Sequence, residues 1–248
     1  MSLDRRRLRS DRLAVDHFHS RFSDDNLRFW VPLFVEAAEI RPGSRVLDVG
    51  CGTGGYSIAI AATTSAVVTG LDESERFVAR AREEPGSVRF LVGDAERLPF
   101  DDGSFDRVLL SLVLHQLTRP EAAVREAFRV LRDGGVALVR TIAPEDARDR
   151  IPERYLPAMA EVDAVRLPPI EALVRMLERA GFGDVSTRRV VRNKRLTLEG
   201  VERELHAERA RYDFLTDEEV ARAVRLLRED GGPWIDPRPN TIIVATRC

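Results

Sequence analysis

Arg45-Val46-Leu47-Asp48-Val49-Gly50-Cys51-Gly52-Thr53-Gly54-Gly55 passes directly from a short apolar run into a cluster of glycines. The run is too short for a helix and reads as a buried strand. The glycines read as the turn after it, because a residue without Cβ lets the backbone bend sharply and approach a ligand. Outward from this point the same alternation recurs. The pattern predicts a helix over Tyr56 to Ala62, a strand over Ala66 to Leu71 ending at Asp72, and a helix over Ser74 to Glu83. A strand over Val88 to Val92 follows, closed by Gly93-Asp94, and then a buried strand over Phe105 to Leu112. Thr118 and Glu121 have capping-box spacing ahead of a helical face of Val124, Ala127, Phe128 and Leu131. Gly134 and Gly135 are expected to stop that helix before a fifth strand, Val136 to Ile142. Such alternation means parallel strands with crossover helices, an open doubly wound α/β sheet. Ligands of these sheets bind outside the carboxyl ends of the strands, here where the loops after Val49, Leu71, Val92 and Leu110 converge.

The flanks read differently. Leu27, Val31, Phe34, Val35 and Ala38 fall at helical spacing before Arg41-Pro42-Gly43, so residues 1–40 are expected to form an N-terminal helical lid on a domain spanning 41–248. The stretch 144–169 is rich in proline and reads as irregular or partly helical. A helix through Leu173, Val174 and Leu177 ends at Gly181, and a strand runs from Val185 to Val191. Residues 196–232 hold two helical patterns, the second with Thr216 and Glu219 at capping-box spacing and Val220, Val224 and Leu227 on one face. The last strand is Asn240 to Thr246. Insertions of this length imply helical caps at the ligand edge of the sheet.

Composition narrows the function. With 248 residues, 44% hydrophobic and 32% charged, the chain is too apolar to be disordered and too short for two large domains. Its longest largely apolar run, Val108 to Leu114, is far below the roughly 20 residues that span a bilayer, so no membrane partner is expected. Met1 to Arg12 carries five arginines and no apolar signal-peptide core, which points to a cytoplasmic protein. The net charge is −2 and the charges alternate, unlike the clustered cations of a duplex nucleic-acid binder. Two cysteines, Cys51 and Cys248, make neither a disulfide framework nor a zinc site, and no metal is expected.

Taken alone, the glycine turn is open to two readings. Gly50, Gly52 and Gly55 satisfy the dinucleotide fingerprint, and Asp72 follows at about the separation of a ribose-binding acid, as in a nicotinamide-dependent oxidoreductase. Asp48 argues the other way. A carboxylate two residues before the first glycine is badly placed beside a pyrophosphate and well placed beside an ammonium or sulfonium. A further acid, Asp94, sits at the end of the third strand in Gly93-Asp94-Ala95-Glu96-Arg97-Leu98-Pro99-Phe100.

Here the sequence resembles a known family. Val46 to Gly54 is similar to motif I of class I S-adenosylmethionine-dependent methyltransferases, and Gly93 to Phe100 to their adenine-binding segment. Phe105 to Leu117 resembles their fourth strand, and Arg129-Val130-Leu131-Arg132-Asp133-Gly134-Gly135 the turn before strand five. The likeness covers Arg41 to Ile142 and the final strands, and points to the ubiquinone/menaquinone-biosynthesis subgroup with its many small-molecule methyltransferases. It implies a Rossmann-like seven-stranded sheet whose last strand is antiparallel, with S-adenosylmethionine as cofactor. Position by position, it implies that Gly50, Cys51 and Gly52 line the methionine part through their backbone, and that Asp48 orients the amino group. Asp72 would hold the ribose hydroxyls with Glu73 beside the adenine. Asp94 and the Ala95 amide would read the ring, and the Ser111 backbone would face the methionine end. Each position also has a plain reading as a turn glycine or a capping acid.

Methyl transfer from a sulfonium needs alignment and exclusion of water more than machinery, although an oxygen or nitrogen acceptor also needs a base. Of four histidines, His115 follows the fourth strand and is the candidate base; packing of its loop is the competing role. His17, a weaker candidate, and His19 lie in the N-terminal segment beside Phe18 and Phe22, and His206 is given no role. Arg140, Arg166, Arg192 and Arg195 are placed to meet an anionic acceptor, though arginine is so common here that ordinary salt bridging competes. Three functions stay open: a small-molecule O-, N- or C-methyltransferase, a dinucleotide oxidoreductase, and a non-methylating S-adenosylmethionine binder such as a cyclase.

Overall fold

The computed structural model describes residues 22–148, 150–211 and 214–248. In chain order these form α1 (Asp24–Ala37), β1 (Arg45–Val49), α2 (Gly55–Thr64), β2 (Val67–Asp72), α3 (Glu75–Glu83), β3 (Arg89–Val92), β4 (Phe105–Ser111) and a short 3-10 turn at Leu114–Gln116. They continue with α4 (Pro120–Val130), β5 (Leu131–Thr141), α5 (Pro144–Ala147), α6 (Ile151–Tyr155), α7 (Pro157–Arg166) and α8 (Ile170–Ala180). The chain closes with β6 (Phe182–Leu196), α9 (Leu198–Arg211), α10 (Asp217–Asp230) and β7 (Trp234–Arg247). Described residues of 22–141, 170–188 and 241–248 make one compact unit; those of 142–169 and 189–240 belong to a second.

β1 pairs in parallel with both β2 and β4, β2 with β3, and β4 with β5. β7 runs antiparallel to β5, and the order across the seven strands is β3-β2-β1-β4-β5-β7-β6. This is the doubly wound sheet that the sequence pattern predicts, with the antiparallel last strand that the resemblance implies. Side chains of a strand alternate between faces. Leu47 and Val49 of β1 join the core cluster built with Ala123, Val124 and Ala127 of α4 and Leu173 and Leu177 of α8. Asp48, between them, bonds instead to Ser57 of α2. Helices therefore cover both faces, and the inner strands are mainly apolar because neither face meets water.

Two helix boundaries depart from expectation. The Thr118–Glu121 capping box does not form: α4 begins with Pro120 in its first turn and Arg119 at its N-cap, without a side-chain cap. Proline at the first helical position presets the backbone there. Glu96, from after β3, then accepts from Arg119 N at 2.7 Å and Arg119 Nε at 2.8 Å. The helix also stops at Val130, before the glycines, and Leu131 already pairs with Phe105. Arg247 supplies the stop: its Nη1 donates to the carbonyls of Phe128 at 3.0 Å and Arg129 at 2.9 Å, and to that of Leu131. Gly134 and Gly135 lie inside β5, where the register shifts between Phe105 and Arg107 of β4.

Phe90 of β3 closes the far side of the glycine turn. It packs with Cys51, Val78 and Ala81. A Cβ on Gly54 would lie 2.6 Å from Phe90 Cζ; one on Gly70 would lie 2.7 Å from Phe90 Cδ1 and 2.9 Å from Cys51 Sγ.

The second unit has a core of its own, from Ile151, Leu156, Met159, Val201, Leu205, Val220 and Leu227. The prolines of 144–169 open three short helices, α5, α6 and α7, each with proline in its first turn. Here the expected capping box is present: Thr216 Oγ1 accepts from Glu219 N at 3.2 Å and Glu219 Oε2 from Thr216 N at 2.7 Å. Glu153 of α6 is buried 3.3 Å from Arg150, yet neither of its oxygens accepts a hydrogen bond. Burial pushes its carboxyl up to about 7 against the pull of Arg150, and Asp163 and Glu208 push the same way.

Candidate functional site

The parallel register aligns Val49 with Leu71 and Asp72 with Val92, so β1, β2 and β3 end side by side. The glycine turn is sewn to that edge: Gly50 N and Cys51 N both donate to Leu71 O, at 2.7 and 3.1 Å. Asp72, the last residue of β2, accepts from Gly52 N at 2.8 Å and from Ser74 N at 3.0 Å. One carboxylate thus joins the glycine turn to the start of α3. Each of its oxygens keeps a further lone pair for a ligand donor. Burial raises the carboxyl above its ordinary value, while the Ser74 and Gly52 amides pull it down.

Asp48 is buried and accepts from Ser57 Oγ at 2.6 Å. Burial pushes its carboxyl up to about 6 despite that bond, and the charge on Asp72 adds to the rise. A cation brought next to Asp48 would reverse the shift. Asp94 is exposed two residues beyond β3 and shapes its own turn, its Oδ1 accepting from Glu96 N at 2.8 Å. Ala95 is buried beside it and Glu73 is exposed after β2. Ser111 ends β4, in register with Arg140 of β5. Ser111 Oγ and Thr53 Oγ1 are buried without a hydrogen-bond partner. Such orphaned hydroxyls call for a ligand or water. Together with the spare acceptor sites of Asp72 and the buried charge of Asp48, they fit S-adenosylmethionine, which carries hydroxyls, an ammonium and a sulfonium.

Cys51 is no nucleophile. Burial, with Asp48 and Asp72 adding to it, drives its thiol far above the range in which a thiolate forms. His115 lies half-buried in the 3-10 turn after β4, with Nδ1 buried. His17 and His19 lie outside the described residues.

Sequence reading missed the aromatic surroundings of the turn. Tyr56, at the start of α2, meets Phe34 edge-on at 5.2 Å and Phe22 at 5.1 Å, and the Phe22 ring rests against Gly55. The Arg140 guanidinium lies 3.8 Å from the centre of the Trp30 ring, and its Nη1 donates to Tyr56 Oη at 2.8 Å. Trp30 and Phe34 stand four apart on α1, a spacing visible in the sequence; their meeting with Arg140 is not. Arg166 pairs with Asp163 at 2.8 Å.

A family model described as a methyltransferase domain matches residues 47–139. The ubiquinone/menaquinone biosynthesis C-methyltransferase UbiE of Pseudomonas fluorescens (strain Pf0-1) is 31% identical over 186 residues, spanning 64% of this chain and 73% of that protein. Among solved structures, a protein assigned as a methyltransferase of an antibiotic biosynthesis pathway in Anabaena variabilis ATCC 29413 superposes with a TM-score of 0.71 at 22% identity, covering 92% of this chain and 99% of the other. The 4+2 cyclase SpnF superposes with a TM-score of 0.61 at 25% identity, over 90% of this chain and 81% of its own.

Proposed function

The chain belongs to the S-adenosylmethionine-dependent methyltransferases of the ubiquinone/menaquinone-biosynthesis type, and on that premise we propose how its residues divide the work of methylating a small molecule. When bound, S-adenosylmethionine would supply an electrophilic methyl group on sulfonium sulfur, with sulfur taking back the bonding pair and the acceptor giving up its proton. In this reading Asp48 holds the amino group, whose charge its buried carboxylate complements. The backbone of Gly50, Cys51 and Gly52 lines the methionine part, with the orphaned hydroxyl of Thr53 alongside. Asp72 binds the ribose hydroxyls, Glu73 stands by the adenine edge, and Asp94 and the Ala95 amide receive the ring. Ser111 faces the methionine end. His115 is the proposed base for an acceptor that must lose a proton, and His17 is the second candidate.

The observation that carries this assignment is the Asp72 carboxylate, fixed by the Gly52 and Ser74 amides with acceptor capacity to spare. The Pseudomonas relative is named for C-methylation in quinone biosynthesis. For this chain the proposed acceptor is a small organic metabolite, methylated on carbon, nitrogen or oxygen in the cytoplasm. Acceptor choice is assigned by the same reading to the two insertions, 144–169 and 196–232.

Titration calorimetry with S-adenosylhomocysteine tests the cofactor assignment. Asp72→Ala should weaken binding by the 1.5–3 kcal/mol of hydrogen bonds to a charged group, roughly ten- to hundredfold. Unchanged affinity would remove Asp72 from the ribose site. Release of labelled methyl onto pooled metabolites separates methyl transfer from cyclase-like chemistry.

A further inference from the structure

Tyr56 and Ser57 are consecutive residues in the first turn of α2, the helix that leaves the glycine turn. Each is held by a charged side chain from a different strand. Ser57 donates to Asp48 of β1, and Tyr56 accepts from Arg140 of β5. β4 lies between those two strands, so the start of α2 is fastened at two separate points on the sheet. Arg140 does more than hold a hydroxyl. Its flat face covers Trp30 of α1, Trp30 stacks on Phe34 at 6.0 Å, and Phe34 returns to Tyr56 edge-on. The contacts close a ring through α1, α2 and β5. Arg140, Trp30, Phe34 and Tyr56 are all buried, and a buried guanidinium is tolerated only where its charge and donors are met.

The N-terminus that this ring holds is free of a side-chain cap: Gly54 at the N-cap carries no such bond. The amides of an uncapped first turn, with the helix dipole behind them, favour an anion. Thr53 Oγ1, one residue earlier, is buried and unpartnered. The amino-acid end of the cofactor carries a carboxylate of the kind this turn would accept.

We propose that Arg140 is a positioning residue for the cofactor: by gripping Tyr56 and Trp30 it sets the first turn of α2 to receive the amino-acid end of S-adenosylmethionine. This rests on the glycine turn being the cofactor loop. Arg140 then governs cofactor affinity and not acceptor choice. A lysine cannot replace it, because an ammonium has neither a planar face for Trp30 nor a second nitrogen for Tyr56.

Two ligands separate this role from loss of structure. S-Adenosylhomocysteine contains the amino-acid end; 5′-methylthioadenosine has the same nucleoside and thioether without it. Calorimetric Kd values for both are measured with the full chain, Arg140→Met, Arg140→Lys, Tyr56→Phe and the double variant Arg140→Met/Tyr56→Phe. Arg140→Met and Arg140→Lys should each weaken S-adenosylhomocysteine about tenfold while 5′-methylthioadenosine changes by less than about twofold. Tyr56→Phe should act in the same direction, and the double variant should be no worse than the worse single, since both remove one bridge. Equal losses for the two ligands, no loss for either, or additive losses in the double variant would overturn the proposal. Should Arg140→Met not fold, Tyr56→Phe, which removes one oxygen, decides by the same ligand contrast. Failure of the unsubstituted protein to bind either ligand would instead refute the cofactor reading on which the proposal rests.

Discussion

Replacing Gly50 by alanine should destabilise the larger unit in two separable ways. Gly50 has φ +72°, a left-handed conformation in which a Cβ crowds the following carbonyl at a cost of roughly 1–2 kcal/mol. The added methyl would also stand 2.5 Å from Val113 Cγ2, where carbon atoms settle at about 3.5–4.0 Å. Val113 cannot simply withdraw. It is part of the main core cluster, and the residue before it, Leu112, is itself left-handed at φ +58°. Overpacking of this sort adds roughly 1–3 kcal/mol, so Gly50→Ala should cost about 3 kcal/mol in all. The chain has two tryptophans, Trp30 in the larger unit and Trp234 in the smaller. Urea unfolding followed by Trp30 fluorescence in a Trp234→Phe background therefore reports the relevant unit. Val113→Ala should relieve only the steric part. In a double-mutant cycle the pair should show a favourable coupling of roughly 1–3 kcal/mol, leaving the backbone cost in place. Additive single effects, or full rescue, would refute this division between contact and backbone.

Affinity for S-adenosylhomocysteine should fall as pH drops below about 6, because Asp48 is then protonated in the free protein and must lose its proton to meet an ammonium; calorimetry in Asp48→Asn should show that dependence gone. Glu153 acts on stability with a defined sign. Its folded carboxyl, near 7, lies above the ordinary 4.5, so its contribution is complete at pH values below the unfolded value and is lost as pH rises through 7. The smaller unit should lose on the order of 2–3 kcal/mol between pH 5 and 8, and Glu153→Gln should flatten that slope in Trp234-monitored melts. Cys51 should resist a thiol reagent in the native protein while the exposed Cys248 reacts; equal rates would show that Cys51 is not sealed.

The parts legible in sequence are those where the signal is local. β1 and β4 could be read because strands covered on both faces are mainly apolar; Asp72 and Asp94 stand out because each ends or follows such a run, and Asp48 because it breaks one just before the glycines. What escaped depends on partners distant in the chain. The α4 boundaries are set by Glu96 at one end and Arg247 at the other, the latter more than a hundred residues away along the chain. Arg140 was one arginine among many until the sheet brought it to Tyr56, 84 residues earlier. β6 and β7 extend well beyond the segments expected: β6 is largely exposed and rich in arginine, and the start of β7 carries Asp236, Pro237, Arg238 and Pro239, so polar residues and prolines hide the strand. Legibility thus follows contact range more than functional importance.

Phe90 places the two glycines near it under different constraints. Gly54 has φ +82°, so glycine is favoured there whatever stands opposite. Gly70 carries no such angle; its missing side chain makes room for the Phe90 ring and the Cys51 sulfur. Selection at position 70 is therefore conditional. A lineage in which residues 51 and 90 have both shrunk leaves position 70 free to drift to alanine or serine, and such a change once made would bar the return of phenylalanine at 90. Position 54 would stay under constraint throughout. On this packing Cys51 serves by the volume of its sulfur, as one corner of a close-packed triad with Gly70 and Phe90.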